Sequence, residues 1–137
     1  MIIDDHPEVR VGLAGMLSTQ PDIQVVGSAS SGLEALTLLD AITPDVVLMD
    51  LRMSGISGLE TIRAINLLND PPRIIVLTSF DTDEDIYQSV GAGAQGYVLK
   101  DTPHDRLLEA IHLVHWKKRY FPADIAARPT ERMERSN

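Results

Sequence analysis

Short apolar runs, each closed by a polar group and each followed by a helical pattern, constrain this chain more than any other feature. Asp4-Asp5 follow Met1-Ile2-Ile3, and Asp50 closes Val46-Val47-Leu48-Met49. Thr78 closes Ile74-Ile75-Val76-Leu77, and Lys100 closes Tyr97-Val98-Leu99. Runs of this kind read as strands of a parallel sheet buried on both faces. In such a sheet the carboxyl ends of the strands all point one way, and ligands bind in the crevice beyond them. Residues far apart in sequence are therefore expected at one acidic pocket with a lysine at its rim. That layout suits a cation and a phosphoryl group.

Strand and helix alternate five times. Met1–Ile3 is strand one, and residues 7–19 form helix one, with Pro7 suited to the first helical position. Residues 24–29 form strand two. Ser31-Gly32-Leu33-Glu34 has capping-box spacing, and Leu33, Leu36 and Leu39 supply an apolar stripe to helix two. Residues 46–50 are strand three. Ser57-Gly58-Leu59-Glu60 repeats the capping spacing and opens helix three, which reaches about residue 68. Residues 73–79 are strand four. The acids of 81–85 favour a helix start, because the helix dipole is positive there; helix four reaches about Gly91. Residues 96–100 are strand five. Thr102-Pro103 reads as a cap and first-turn proline, and Leu107, Leu108, Ile111 and Val114 mark the buried face of helix five. Residues from about Arg119 onward read as a linker or frayed tail. Five such units with right-handed crossovers give an α/β, flavodoxin-like, doubly wound five-stranded parallel sheet of order 2-1-3-4-5 with five helices. Its switch point puts Asp4-Asp5 beside Asp50.

A length of 137 residues fits one domain with a real core. Cysteine is absent, which excludes a disulfide framework and thiolate metal sites. No apolar run approaches a membrane span, and the expected location is cytoplasmic. The net charge of −8 is uneven: residues 1–103 hold 5 Lys/Arg against 15 Asp/Glu, while residues 104–137 hold 7 against 5. An acidic body is a poor nucleic-acid binder, since phosphate contacts dominate that affinity.

Three crowded carboxylates repel one another unless they are protonated or bind a cation. An oxygen donor set favours a hard ion, and Mg²⁺ is the expected one. An aspartate can attack phosphorus and form an acyl phosphate. Catalysis is then mainly positioning and charge neutralisation, to which Mg²⁺, Lys100 and Thr78 would contribute. Taken singly, Lys100 and Thr78 read as a solvated lysine and a strand threonine; only their shared place at the strand ends raises them. His6 fits better as the residue leading into helix one than as a metal ligand. His104, His112 and His115 read as solvated, and Trp116 as a packing or linker contact.

Four segments carry a family resemblance: Asp4-Asp5-His6-Pro7, Asp45 to Asp50, Val76-Leu77-Thr78-Ser79, and Gly91 to Lys100. Over residues 1–118 the chain resembles the receiver domain of bacterial two-component response regulators, in detail the NarL/FixJ branch. Members of that branch usually carry a LuxR-type helix-turn-helix DNA-binding domain after the receiver. The resemblance implies that Asp50 accepts a phosphoryl group from a sensor histidine kinase. It implies that Asp5 and Asp50 ligate Mg²⁺ together with the backbone carbonyl of Arg52, and that Asp4 holds a metal-bound water. Lys100 would pair with the phosphoryl oxygens. Thr78 would turn to hydrogen-bond them, with the Ser79 N–H nearby. Tyr97, otherwise readable as core packing, would follow Thr78 inward and alter the face formed by helix four, strand five and helix five. The oligomeric state is left open; a homodimer, where one forms, would use that face or helices one and five.

Three departures stand out. Strand one is short, Ser54 replaces the family's usual proline, and Asp101 follows Lys100 where many other receivers have proline. Residues 120–128 resemble the branch's linker, and the segment 119–137 cannot itself form a helix-turn-helix, so DNA contact would require an absent C-terminal domain. A fragment is expected over a natural single-domain receiver acting by protein contact. The chain is read as a signalling phosphoacceptor rather than a turnover enzyme. The alternative, an aspartate-nucleophile phosphatase of the haloacid-dehalogenase kind, needs a second aspartate two residues after the nucleophile, where this chain has Arg52.

Overall fold

The computed structural model describes residues 1–80 and 82–121. The elements alternate as β1 (Ile2–Ile3), α1 (Pro7–Leu17), β2 (Ser28–Ala29), α2 (Gly32–Leu38), β3 (Val46–Met49), α3 (Gly58–Asn66), β4 (Arg73–Thr78), α4 (Asp83–Ala92), β5 (Gly96–Leu99) and α5 (His104–His115). All strand pairs are parallel, in the order β2-β1-β3-β4-β5. This is the expected doubly wound topology.

Strand periodicity of two splits the core into two layers. Ile3, Val47, Met49, Ile74, Val76 and Tyr97 face one side, where Ala35 of α2, Ile62 and Ile65 of α3, and Ile86 of α4 pack on them. Ile2, Leu48, Ile75, Leu77 and Val98 face the other, under Leu17 of α1 and Leu107, Ala110, Ile111 and Val114 of α5. β3 and β4 lie at the centre, and each is almost wholly buried. Their unbroken apolar runs follow from that double burial.

The serine caps form as their spacing predicts. Ser31 Oγ accepts the Glu34 N–H and Ser57 Oγ accepts the Glu60 N–H, both at 3.1 Å. Helix four opens within the expected acidic stretch: Thr82 caps it by accepting the Asp85 N–H, and Asp83, Glu84 and Asp85 fill its first turn. Gly93 ends it at φ +110°, a left-handed C-cap that favours glycine. Helix five begins at His104 with Pro103 at the cap position and no side-chain capping bond, so Thr102 does not serve as the cap. Leu33 departs from the expected stripe: it is 61% exposed, and Ala35 takes its place against the sheet.

Two larger differences concern the sheet edges. Strand two forms only over Ser28–Ala29, not over residues 24–29. It is an edge strand whose sole neighbour is β1, and β1 has just two residues to offer. At the opposite edge, Tyr120 bridges Gly96 in parallel. The Tyr97 N–H donates to the Tyr120 carbonyl at 3.1 Å and the Tyr120 N–H to the Gln95 carbonyl at 3.0 Å. The first residues of the expected tail thus cover the edge of β5, which blunts an open ladder. Residues 122–137, which hold most of the expected linker, lie outside the described residues, as does Asp81.

Candidate functional site: a carboxylate cluster at the strand ends

The site lies where β1 and β3 run out. Asp4 stays on the sheet: its N–H donates to the Ala29 carbonyl at 3.1 Å, and Arg10 holds its carbonyl at 2.6 Å. Asp50 is fixed likewise, its N–H donating to the Ile3 carbonyl at 3.0 Å. Asp4 and Asp50 are 2% and 4% exposed, unusual for carboxylates without a counter-charge. The sharp turn after Asp50 depends on Gly58. A Cβ there would lie 2.6 Å from Leu51 Cα and 2.9 Å from the Asp50 carbonyl. Only glycine lets α3 start that close to the acceptor loop.

Lys100 supplies the counter-charge. Its N–H donates to the Thr78 carbonyl at 2.9 Å, which ties the end of β5 to that of β4. Its ammonium lies 2.8 Å from Asp4 Oδ2 and 2.9 Å from Asp50 Oδ2. Burial alone would raise the Asp4 carboxyl; hydrogen bonds from Lys100 and His6 outweigh it and hold Asp4 below its ordinary range. Burial likewise opposes the charge on Lys100, and the bonds to Asp4 and Asp50 overcome it and raise its pKa.

Asp5 is different. Its Oδ1 is buried without a hydrogen-bond partner among the described residues; His6 Nδ1 lies 3.0 Å away but not in hydrogen-bonding alignment. Its Oδ2 receives the Ser54 N–H at 3.4 Å. Ligand atoms of Asp4, Asp5, His6 and Asp50 all fall within 4.8 Å of one another. An orphaned buried carboxylate oxygen beside two more carboxylates fits a hard, oxygen-seeking dication. The donor set is thus compatible with Mg²⁺.

His6 sits closer to this cluster than the sequence suggests. Its Nδ1 lies 3.0 Å from Asp4 Oδ1, and that hydrogen bond, followed by the Asp5 charge, raises the imidazole above its ordinary range. The adjacent pair of aspartates was the available signal. A histidine next to two converging carboxylates is attracted to them wherever its own backbone points.

The remaining expected site residues take distinct places. Arg52 donates its N–H to Asp50 Oδ1 at 3.3 Å. Its guanidinium leaves the cluster, binding Asp85 Oδ2 at 2.6 Å and lying 4.2 Å above the Phe80 ring. Thr78 is fully buried at the end of β4, and its hydroxyl accepts the Phe80 N–H at 3.4 Å. Tyr97 is fully buried, and its hydroxyl donates to the Phe80 carbonyl at 2.5 Å. Ser79 follows Thr78 at the same sheet end. The structure therefore gathers Asp4, Asp5, Asp50 and Lys100 directly, with Thr78 and Tyr97 meeting at the two backbone groups of Phe80. Away from the site, His112 pairs with Asp22 at 2.6 Å, and Trp116 is 72% exposed with its ring edge-on to His115.

Comparison with known proteins agrees with the fold. Residues 1–112 match the response regulator receiver domain model. The transcriptional regulatory protein LiaR of Bacillus subtilis is 40% identical over 136 residues, covering 99% of this chain and 64% of LiaR. The nitrate/nitrite response regulator protein NarL of Escherichia coli is 40% identical over 112 residues, covering 82% of this chain and 52% of NarL. The chain thus spans between half and two thirds of the length of these relatives. The crystal structure of a LuxR-family two-component response regulator from an Aurantimonas species superimposes with a TM-score of 0.88 at 34% identity, covering 100% of this chain and 96% of that one. With its strand order and these relatives in agreement, this chain belongs to the response regulator receiver domain family, in its NarL/LuxR branch.

Proposed function

We propose that this receiver takes a phosphoryl group onto Asp50 from a phosphohistidine of a sensor histidine kinase and thereby switches the output of a transcriptional regulator. The observation that carries the reading is the environment of Asp50. Its carboxylate is nearly buried at a strand end, held by Lys100 at 2.9 Å, with the orphaned oxygen of Asp5 close by. An Asp50 carboxylate oxygen attacks phosphorus, the P–N bond to the donor imidazole breaks, and that imidazole keeps the electron pair and takes up a proton. An acyl phosphate is left on Asp50.

Asp5, Asp50 and the Arg52 carbonyl would hold Mg²⁺, with Asp4 holding one of its waters. The ion supplies charge neutralisation for the equatorial phosphoryl oxygens. Lys100 has a second role here. In the unphosphorylated site it bridges Asp4 and Asp50, and on transfer the same ammonium faces the new phosphoryl oxygens. Thr78 turns toward the phosphoryl group, with the Ser79 N–H beside it, and gives up its bond with the Phe80 N–H. Tyr97 reads that change, because its hydroxyl is held by the carbonyl of the same residue. A charge change of about −1.5 to −2 at Asp50 is thereby passed to the face formed by α4, β5 and α5. Homodimers through that face or through α1 and α5, and DNA contact through a further C-terminal domain, belong to the same proposal, as does a cytoplasmic location. Among the described residues no helix is long and apolar enough to cross a membrane.

Incubation with acetyl phosphate and Mg²⁺, read by intact mass, is the test. A single phosphoryl adduct is expected, absent in Asp50→Asn and absent when EDTA replaces Mg²⁺. Equal labelling of Asp50→Asn would refute the site.

A further inference from the structure

His6 brings a nitrogen donor to the edge of the carboxylate cluster. It stands at the N-cap of α1. Its N–H donates to Asp4 Oδ1 at 2.9 Å, and its ring Nδ1 lies 3.0 Å from the same oxygen. With backbone and ring both held by one oxygen, the imidazole folds back over the end of β1. Nδ1 is also 3.0 Å from Asp5 Oδ1, the oxygen buried without a hydrogen-bond partner among the described residues. The rest of the side chain is open, at 54% exposure, so an ion can approach the ring from solvent.

These spacings suit ligands arranged around one ion. Neighbouring ligands at about 2.1 Å from a six-coordinate dication lie about 3.0 Å apart, and opposite ones about 4.2 Å. Nδ1 and Asp5 Oδ1 have the first spacing. One ligand atom each from Asp4, Asp5, His6 and Asp50 lies within 4.8 Å of the other three, so small side-chain rotations close the set. Hydrogen bonding alone accounts for half of the arrangement. Nδ1 carries at most one proton, and its alignment is with Asp4, not Asp5. A cation between Nδ1 and Asp5 Oδ1 satisfies the oxygen that the hydrogen bond leaves bare.

We propose that His6 Nδ1 is a ligand of the divalent cation at this site, which therefore takes a first-row transition dication such as Co²⁺ or Ni²⁺ in preference to Mg²⁺ at equal concentration. The inference rests on the proposed cation role of Asp5 and Asp50, and adds a nitrogen to a donor set that is otherwise all oxygen. Mg²⁺ takes oxygen ligands and keeps several waters, so imidazole adds little to its binding. Transition dications bind imidazole well, with affinity rising from Mn²⁺ toward Cu²⁺. The ion takes the Nδ1 lone pair, and a proton held there leaves to solvent. The bond from the His6 N–H to Asp4 survives this exchange and keeps the ring oriented toward the ion.

The test uses Co²⁺ and Mg²⁺ as probes, each titrated by calorimetry into the wild-type chain, His6→Phe and Asp50→Asn. Proton NMR of the Co²⁺ complexes is recorded alongside. Phenylalanine cannot ligate, yet it keeps the backbone N–H bond to Asp4. Only the Co²⁺ that excess Mg²⁺ displaces is counted, which sets aside ions held by other histidines. Wild type is expected to bind this Co²⁺ about tenfold or more tighter than Mg²⁺, and His6→Phe to lose about tenfold for Co²⁺ with its Mg²⁺ affinity retained. Paramagnetically shifted ring protons of one histidine should appear with Co²⁺ and be missing from His6→Phe. Co²⁺ that competes with Mg²⁺ but shows the same affinity in His6→Phe and no such resonances would overturn the inference and leave the Mg²⁺ reading standing. Equal losses for both ions in His6→Phe would also overturn it, by giving His6 a structural part alone. Binding of neither ion, or binding unchanged in Asp50→Asn, would overturn both readings together.

Discussion

Lys100→Met separates the structural from the chemical role of the lysine. The ammonium bridges two carboxylates at 2.8 and 2.9 Å. At an effective dielectric constant of about 20, each contact carries a gross attraction of about 6 kcal/mol. Desolvation of three charges cancels most of that sum. What methionine leaves behind is two buried carboxylates without a counter-charge, with the stem's apolar packing roughly preserved. Breaking a buried pair costs about 3–5 kcal/mol, and the Lys100 side chain is 19% exposed, which places the expected loss at the low end. A loss of about 3 kcal/mol lowers the midpoint by about 10 °C for a chain of this size. Thermal unfolding in EDTA reads that loss directly. Mg²⁺ should then repair part of it. With a dissociation constant of about 1 mM, 10 mM Mg²⁺ stabilises the wild type by about 1.4 kcal/mol. The variant lacks a competing cation and should gain more, recovering at least half of its deficit. A deficit of the same size in EDTA and in Mg²⁺, or no deficit at all, would show that the carboxylates do not share one cation site.

Three further outcomes are expected from the same geometry. Tyr97→Phe removes the donor to the Phe80 carbonyl and should cost about 1–2 kcal/mol in urea unfolding; unchanged stability would mean that the hydroxyl is not a structural anchor. Gly58→Ala forces a Cβ into the backbone of Leu51 and Asp50, so a loss of about 2 kcal/mol and slower labelling of Asp50 are expected, and wild-type behaviour in both would contradict the close approach. The Met1 ammonium, lowered from 8.0 to about 6 by burial with Asp45 partly opposing, makes stability depend on pH. Below about pH 6 both states carry the proton and the burial cost is felt in full; above about pH 8 neither does. Stability should therefore rise by about 2–3 kcal/mol between those limits. N-terminal acetylation should abolish that rise, measured as the difference between the two proteins so that the opposite trend from His6, whose pKa is raised, cancels.

Much of the chain was legible because two periodicities do not interfere. Apolar runs of four residues at β3 and β4 can be buried on both faces only in a central parallel strand, and that fixed the layering and the strand order. Once the order is known, the ends of β1 and β3 are adjacent, so Asp4, Asp5 and Asp50 meet without any side-chain detail. The capping serines were equally readable, since a cap is a contact three residues long. The exceptions share a physical cause. Strand two failed over residues 24–27 because a ladder needs a partner, and no property of Gln24–Gly27 reveals whether β1 supplies one. Leu33 points outward although its spacing suits a stripe, because helix two is short and Ala35 allows closer packing on the sheet. His6 joins the carboxylates, Arg52 leaves them for Asp85 and Phe80, and Tyr120 closes the β5 edge. Each of these was settled by electrostatics or hydrogen bonding between groups that only the folded chain brings together. The sequence by itself determined the topology and the location of the pocket, which follow from local burial patterns. Tertiary structure decided which charges pair and which oxygen is left bare, because those depend on distances of a few ångströms between separate strands.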